Sequence, residues 1–524
     1  MAEMTTDQWR ADLNIGLDYR LPKIALYDRY YDGDHRMQFA TTKFQEAFGE
    51  MFGAFATNWC GLVVDVACER LKVQGFRFGE PDADDEAWAI WQANSMDAQS
   101  LQLHTEAVKA GVAYAMVSPP EEDGGEPVIT VEHPAQVICA HDPADRRKVI
   151  AALKRFTDSN GDHVQQVYEP SAITTYRRRD EAERANRLSI LGIFVDMRGA
   201  EDWDSRVVED NPLGRVPVVP FENNPDLLTG GRSDLRPAVG LNDAANKFFM
   251  DMIHASEFIS FPQRVLTGVQ LPKDPITGEV VEATVLRSAV SRLWAFEDPN
   301  ARVFDLAIGS LANYVEGVDL AVQHMAAQTR TPPHYLLAKL ANLAADALKA
   351  AETGLNMRCQ RKQLDFADSW EEVIRLSFAW RAFVRKGWAG ADEDQWRAQY
   401  TNAETLWMDP ESKDPINETQ ALTNLKTIGV PDETLWEQAG YSPQQIKRMR
   451  KQRDEQDKRQ MALAQAGVAG GQQGPSGATG GPNLTLQPGE KEFAVSGLPA
   501  PPPQPGQNGG GQPKGQPSGQ PPSQ

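Results

Sequence analysis

His133, Cys139, His141 and Asp142 come closest, by type and spacing, to a metal site in this chain. Alternation in an extended segment puts His133, Cys139 and His141 on one nominal face, as converging ligands require. His133-Pro134 and His141-Asp142-Pro143 are equally adequate as turn formers with no ion. A hydrolase or nuclease working through Asp142 and His133 is the enzymatic reading this group leaves open. Asp82, Asp84, Asp85 and Glu86 gather carboxylates, but acids at a helix start also complement the helix dipole. Arg330, His334, Lys339 and Asn342 collect donors in one polar stretch, suited to phosphate contacts or to plain solvation.

The motifs that would assign a catalytic class are absent from the sequence. It contains no GxxxxGKS or GxxxxGKT phosphate loop, no helix-opening GxGxxG, no HExxH and no GxSxG elbow. No catalytic residue, no metal and no cofactor are therefore expected. Cys60, Cys68, Cys139 and Cys359 form no CxxC pair and read as reduced, mostly buried thiols. Lys447, Arg448, Arg450, Lys451 and Arg453 make the last helix basic, without the aromatics on which bases stack.

The formal net charge over 524 residues is −20, and the acids and bases of 465–524 cancel, so the excess lies upstream. Such a surface does not wrap nucleic acid tightly, because tight binding displaces counterions with dense Lys/Arg contacts. Gly, Pro, Gln and Ser make up roughly two-thirds of 465–524, too polar a mixture to bury a core, and disorder is expected there. An acidic N-terminus without an apolar h-region, and no apolar run of bilayer length, predict a soluble chain made inside the cell.

Before Ala110 the pattern is helical: Thr5-Thr6-Asp7 caps a helix with Trp9, Leu13 and Leu17, and Asn58 opens another. Residues 71–77 alternate like a strand. From Val112 to about Phe221 the period is two, and short segments split by turn residues argue for an antiparallel sheet. Pro212, Pro217 and Pro220 confine the end of that region to an edge or a crossover. A helix through Leu241 and Ala245 precedes a small mixed insertion, 263–304. Leu311, Tyr314, Val315, Val318, Val322 and Met325 mark the next helix, capped by Ser310 and ended by Thr331-Pro332-Pro333. From Asp346 a nearly heptad stripe runs through Leu355, Cys359, Phe366, Trp370, Val373, Ser377 and Trp380. It predicts one helix of about 40 residues, roughly 60 Å long. Residues 392–461 read as helical throughout.

Asn58, Val64-Asp65, the run Arg70-Leu71-Lys72-Val73-Gln74-Gly75-Phe76, His133-Pro134 and Asn211-Pro212-Leu213-Gly214-Arg215-Val216-Pro217 recur in a telling order. Gly231-Arg232-Ser233-Asp234, Phe261-Pro262-Gln263-Arg264, Thr331-Pro332-Pro333 and Ala345 with Glu352 continue it. In this order the chain resembles the SPP1-like portal proteins of tailed bacteriophages. The resemblance implies an α+β portal fold: an α/β wing with an antiparallel sheet over 1–224 and a first stem helix over 225–261. A clip over 262–305, a second stem helix over 306–328, a tunnel loop over 329–345 and a long helix over 346–391 follow. A helical crown over 392–464 and the disordered tail 465–524 complete it, although such a tail departs from the family pattern.

It further implies a homo-oligomeric ring of about twelve subunits, closed by a heterologous interface. The ring would sit at one capsid vertex of the virion, assembled in the host cytoplasm, and conduct double-stranded DNA during packaging and ejection. Its implied partners are the terminase large subunit, a head-completion or adaptor protein, and the major capsid and scaffolding proteins. Arg330, His334, Lys339 and Asn342 become candidate DNA-facing residues, with Leu336, Leu337, Leu340 and Leu343 offering a steric contact instead. Lys273 and Arg287 become candidates for the terminase or adaptor surface. Another virion structural protein, a minor head protein or a head–tail adaptor, is the competing reading.

Overall fold

The computed structural model describes residues 4–178 (apart from 36–37, most of 40–55, 80 and 123), 203–260, 264–267, 293–296, 311–337, 345–386, 390–411, 415–441 and 443–469. The chain divides into two compact units, 1–452 and 453–524. Of the second, only the end of the last helix is described.

Helix α1 (Thr6–Asp32) starts at a capping box, in which Thr5 Oγ1 accepts from Gln8 N and the Gln8 side chain accepts from Thr5 N. Helix α2 (Trp59–Cys68) is capped by Asn58, whose Oδ1 accepts from Gly61 N. Strand β1 (Val73–Arg77) and helices α3 (Pro81–Ala93) and α4 (Met96–Ala110) follow. The expected period-two region then yields β2 (Val112–Ser118), β3 (Val128–Glu132), β4 (Val137–His141), β5 (Val149–Thr157), β6 (His163–Tyr168), β7 (Ala172–Arg178), β8 (Ser205–Asp210) and β9 (Val218–Glu222).

These strands make two antiparallel sheets, ordered β4-β5-β6-β7-β8 and β3-β2-β9. The proline-bearing β9 lies at an edge, where a missing amide donor is tolerated. Alternation along β5 explains the layering. Ala151 and Leu153 meet Leu13 and Leu17 of α1, while Ala152 meets Tyr114 and Val218 of the smaller sheet. The five-stranded sheet therefore sits between α1 and the three-stranded one.

Helix α5 (Val239–Ser260) precedes a parallel strand pair, β10 (Arg264–Thr267) with β11 (Leu293–Phe296). Helix α6 (Leu311–Thr329) packs along α5, so tightly that a Cβ on Gly317 would meet the Phe248 ring at 3.3 Å. Short helix α7 (Pro333–Leu337), long helix α8 (Ala345–Val384), α9 (Ala391–Gln399), β12 (Glu404–Trp407), α10 (Pro415–Thr427), α11 (Asp432–Gln438) and α12 (Pro443–Ala469) complete the order. Strand β12 corrects the reading of 392–461 as all helix: it pairs antiparallel with β1, from Val73↔Trp407 to Arg77↔Glu404. Four residues are too few to show a period, and the partner that makes them a strand is remote in sequence. Among the described residues no helix is long and apolar enough to cross a membrane.

The core is built around α8. Its predicted stripe is buried from Leu355 through Trp380. Trp370 meets Trp91 at 4.8 Å and Phe221 at 4.7 Å between ring centroids, and His104 stacks on Phe366 at 5.2 Å. Trp380 Nε1 donates to Val117 O at 3.0 Å, satisfying the one polar atom of a buried indole. All four cysteines are free thiols, three of them buried.

Trp370 Nε1 donates to His104 Nε2 at 2.9 Å, and burial pushes the His104 imidazole down to about 3. The unfolded chain takes up that proton near pH 6.5 while the folded chain resists it, so stability falls as pH drops from 6.5 toward 3. The expected loss is roughly 1.4 kcal/mol per pH unit in that window. His104→Gln keeps an acceptor for Trp370 without a titrating ring, and its melting temperature, followed against pH, should fall less steeply than that of the wild type.

Candidate functional site

Proline ends α6 as expected, but the turn is more elaborate than a break. Thr331 N donates to Ala326 O at 3.0 Å, a helix-closing bond that demands a left-handed residue between. That residue is Arg330, with φ of 53°. A left-handed conformation costs a side-chain-bearing residue roughly 1–2 kcal/mol, and glycine usually stands there. The Arg330 side chain is exposed beside α8, close to Gly354.

Helix α7 follows, fastened on both sides. Trp59 Nε1 donates to Leu336 O at 3.1 Å. Arg70 Nη2 donates to the Tyr335 hydroxyl at 3.0 Å, which in turn donates to Glu352 Oε1 at 3.3 Å. Arg70 also reaches Asn356 of α8 at 2.7 Å. His334 is half-buried with its ring 4.6 Å from that of Tyr335, and Leu336 is buried, so it packs inward rather than offering a steric surface. The segment 338–344 joins α7 to α8 in sequence. Lys339, Asn342, Leu340 and Leu343 fall within it and lie outside the described residues, as do Lys273, Arg287 and the expected cap Ser310.

Beneath this junction is a buried ion cluster. Asp234 lies in the loop before α5, and its Oδ2 accepts from Arg358 Nε at 2.9 Å and Nη2 at 2.5 Å and sits 2.8 Å from Lys362 Nζ. Asn223 and Asn224 donate to its Oδ1 at 3.0 and 2.7 Å, and Lys362 also donates to Asn223 Oδ1. Arg358 spends its remaining donors on Thr329 O at 3.0 Å, Thr331 Oγ1 at 3.2 Å and Val63 O at 3.0 Å. One guanidinium therefore holds the end of α6, the strained turn, the entry to α5, and α2. Burial would raise the Asp234 carboxyl, but Arg358 and then Lys362 overcome this and hold it well below its ordinary range. Burial lowers the Lys362 ammonium, against the pull of Asp234.

The loop reaches this place because of two glycines. A Cβ on Gly231 would lie 1.9 Å from Gly111 O, and Gly111 itself has φ of 98°. Ser233 then anchors the loop, its Oγ donating to Lys109 O at 2.5 Å and accepting from Leu235 N at 3.0 Å.

The metal reading from spacing is not realised. His133 Nε2 stands 3.2 Å from Glu106 and 3.9 Å from Asp28, while His141 Nδ1 pairs with Arg146 O at 2.6 Å. Asp28, Glu106 and His133 do converge, within 4.8 Å of one another. Lys109 Nζ, however, sits 2.9 Å from Asp28 and 2.7 Å from Glu106, so an ammonium is the cation these carboxylates hold. The acids at the start of α3 are structural as well: Asp84 accepts from Phe78 N at 2.5 Å and Glu86 pairs with Arg381 at 2.9 Å.

A cleft of about 870 Å³ opens beside α8, lined by Arg215, Glu371, Glu372 and Arg375 among others. Of these, Arg375 pairs with Glu372 at 2.9 Å and Arg215 with Glu372 at 3.6 Å. Burial raises Glu371 to about 7.

Asp234, Arg358 and Lys362 were not singled out as a site by sequence reasoning, although one signal was present. The stripe steps from Cys359 to Phe366, and Lys362 occupies the missing position between them. A lysine at a core position of a helix requires a buried acid.

A family profile for phage portal proteins of the SPP1 Gp6-like type matches residues 13–459. A portal protein of Mycobacterium phage D29 is 30% identical over 411 residues, covering 75% of this chain and 78% of that one. A portal protein of Mycobacterium phage L5 is 29% identical over 440 residues, covering 82% and 84% respectively.

Three substitutions rank the parts of the ion cluster. Asp234→Asn strands two buried cations and should cost about 3–5 kcal/mol. Arg358→Met leaves a neutral Lys362–Asp234 pair but orphans two carbonyls, an intermediate loss of about 2–3 kcal/mol. Lys362→Met keeps the Arg358–Asp234 pair and should cost least, under about 2 kcal/mol. Denaturant melts of the three variants check the order.

Proposed function

The chain belongs to the SPP1-like family of phage portal proteins, structural rather than catalytic, and on that premise we propose that its copies form the DNA-conducting ring of one capsid vertex. The ring has about twelve subunits joined head to tail. Residues 225–261 and 306–328 form its stem, 262–305 its clip, 329–345 its tunnel loop and 392–464 its crown. Double-stranded DNA passes through it during packaging and ejection. A terminase large subunit supplies the hydrolysis, and head-completion or adaptor proteins dock at the clip, with Lys273 and Arg287 on that surface. Capsid and scaffolding proteins are its remaining neighbours in the assembling head.

The observation that carries this reading is the order of elements inside a family match covering most of the chain. The charge supports it. A net −20 keeps a moving duplex weakly held, since loose, salt-screened contacts let phosphates slide. Arg330, His334, Lys339 and Asn342 are the proposed DNA-facing residues. Of these, Arg330 has particular support, because an exposed arginine keeps a backbone conformation that glycine would adopt at lower cost.

Negative-stain images of the purified chain should show rings with a central hole, and rings should persist when 465–524 is deleted. Protein that stays monomeric at every concentration would sink the proposal. Arg330→Gly should raise the melting temperature by relieving the left-handed turn, yet lower the length of DNA packaged per head. Unchanged packaging would remove Arg330 from the DNA path.

A further inference from the structure

We propose that Lys362 and Asn223 of one chain join in an isopeptide bond, with Asp234 carrying a proton between their nitrogens. The bond would tie the long helix α8 to the loop that follows β9. It concerns the single chain and does not depend on the ring.

The three side chains meet inside the core. Lys362 and Asn223 are fully buried, and Asp234 is buried with them. Lys362 Nζ donates to Asn223 Oδ1, the oxygen bonded to the carbon that the amine would attack. The amide is held in that orientation, because its Nδ2 donates to Arg232 O at 2.7 Å and to Asp234 Oδ1 at 3.0 Å. Its backbone is held as well: Asn223 N donates to Gly111 O at 2.9 Å, and Asn223 O accepts from Arg232 N at 2.7 Å. Asp234 spans both nitrogens, with Oδ2 2.8 Å from Lys362 Nζ and Oδ1 on Asn223 Nδ2. An ion pair needs only the carboxylate and the ammonium. A carboxamide fixed against the amine, with one carboxylate oxygen on each nitrogen, is the arrangement of an acyl transfer.

In that transfer the Nζ lone pair attacks Asn223 Cγ, and Nδ2 leaves as ammonia. Asp234 Oδ2 takes a proton from the Lys362 ammonium and so frees the lone pair, while Oδ1 faces the nitrogen that must gain one. The Nζ–Cγ bond forms and the Cγ–Nδ2 bond breaks. Nζ gives up two protons in all: one completes the departing ammonia, and the other leaves with it as ammonium. Charge and atoms balance without an oxidant or a co-reactant. Burial favours the nucleophilic form, since it lowers the Lys362 ammonium. Arg358 acts the other way, because it holds Asp234 charged and slows the proton transfer. The bond therefore forms after folding, when fixed contact between the groups makes up for a slow step.

The test is the intact mass of the full-length chain, measured under denaturing conditions on fresh protein and again after extended incubation. The wild type should end lighter than its sequence by one ammonia. Trypsin should then release a branched peptide, residues 216–232 joined through Asn223 to Lys362 of residues 362–375. Lys362→Met and Asn223→Ala should each keep the full mass of their own sequence. The link would join residues 139 apart in sequence. Lys362→Met should then lose more stability than the unlinked ion cluster alone predicts, because the unfolded chain regains that loop's freedom. Wild-type protein that keeps its full mass after incubation overturns the proposal. So does an ammonia loss that persists in Lys362→Met, which marks a succinimide at an asparagine instead.

Discussion

A single buried carboxylate, Asp234, decides how the parts of this protein meet. It faces two cations, Arg358 and Lys362, of which Lys362 is fully enclosed. Removing three ionised groups from water costs several kcal/mol each, and only close pairing with complete hydrogen bonding offsets it. Asn223, Asn224, Thr331 and the carbonyls of Val63 and Thr329 supply that completion. The cluster tolerates little displacement, because any shift that breaks one bond exposes a buried charge without a partner. Elements from five parts of the chain are therefore held in one arrangement.

The same logic recurs along α8 at smaller scale. Near its end Arg381 and Arg385, with Arg397 of α9, surround the buried Asp394, and Arg381 also reaches Glu86 of α3. Between the two ion clusters the buried stripe of the helix is mostly apolar and aromatic, and the polar atoms of its tryptophans are paired with His104 and with a β2 carbonyl. A helix about 60 Å long is thus fastened at intervals along its length. The turn at Arg330 and helix α7 are tied to its first half, and β9 and α9 to its second.

Charge is partitioned accordingly. Buried cations cluster where Asp234 of the loop before α5 comes in, while α6 contains no lysine or arginine. The net negative charge of the chain is thus a property of its outer faces more than of its interior. In the proposed DNA-conducting ring, such a surface would limit adhesion to a passing polyanion.

Much of this was legible in the sequence. The caps at Thr5 and Asn58, the strand alternation, the proline edge of β9 and the long stripe of α8 are local signals, set by backbone geometry and by the periods of helix and strand. The portal-like order of motifs was legible too, because each motif is a short run whose steric demand stays with its residues. What the sequence could not decide was which distant residues share a dielectric environment. His133 was grouped with Cys139 and His141 by spacing, whereas folding set it beside Glu106, Asp28 and Lys109. Strand β12 exists only because β1 offers it hydrogen bonds. Asp234, Arg358 and Lys362 are ordinary surface residues by type, and only burial made them a structural centre. Sequence determined the elements, since local conformational energy depends on neighbours along the chain. Tertiary structure decided the charges' partners, since electrostatic energy depends on distance and on the exclusion of water.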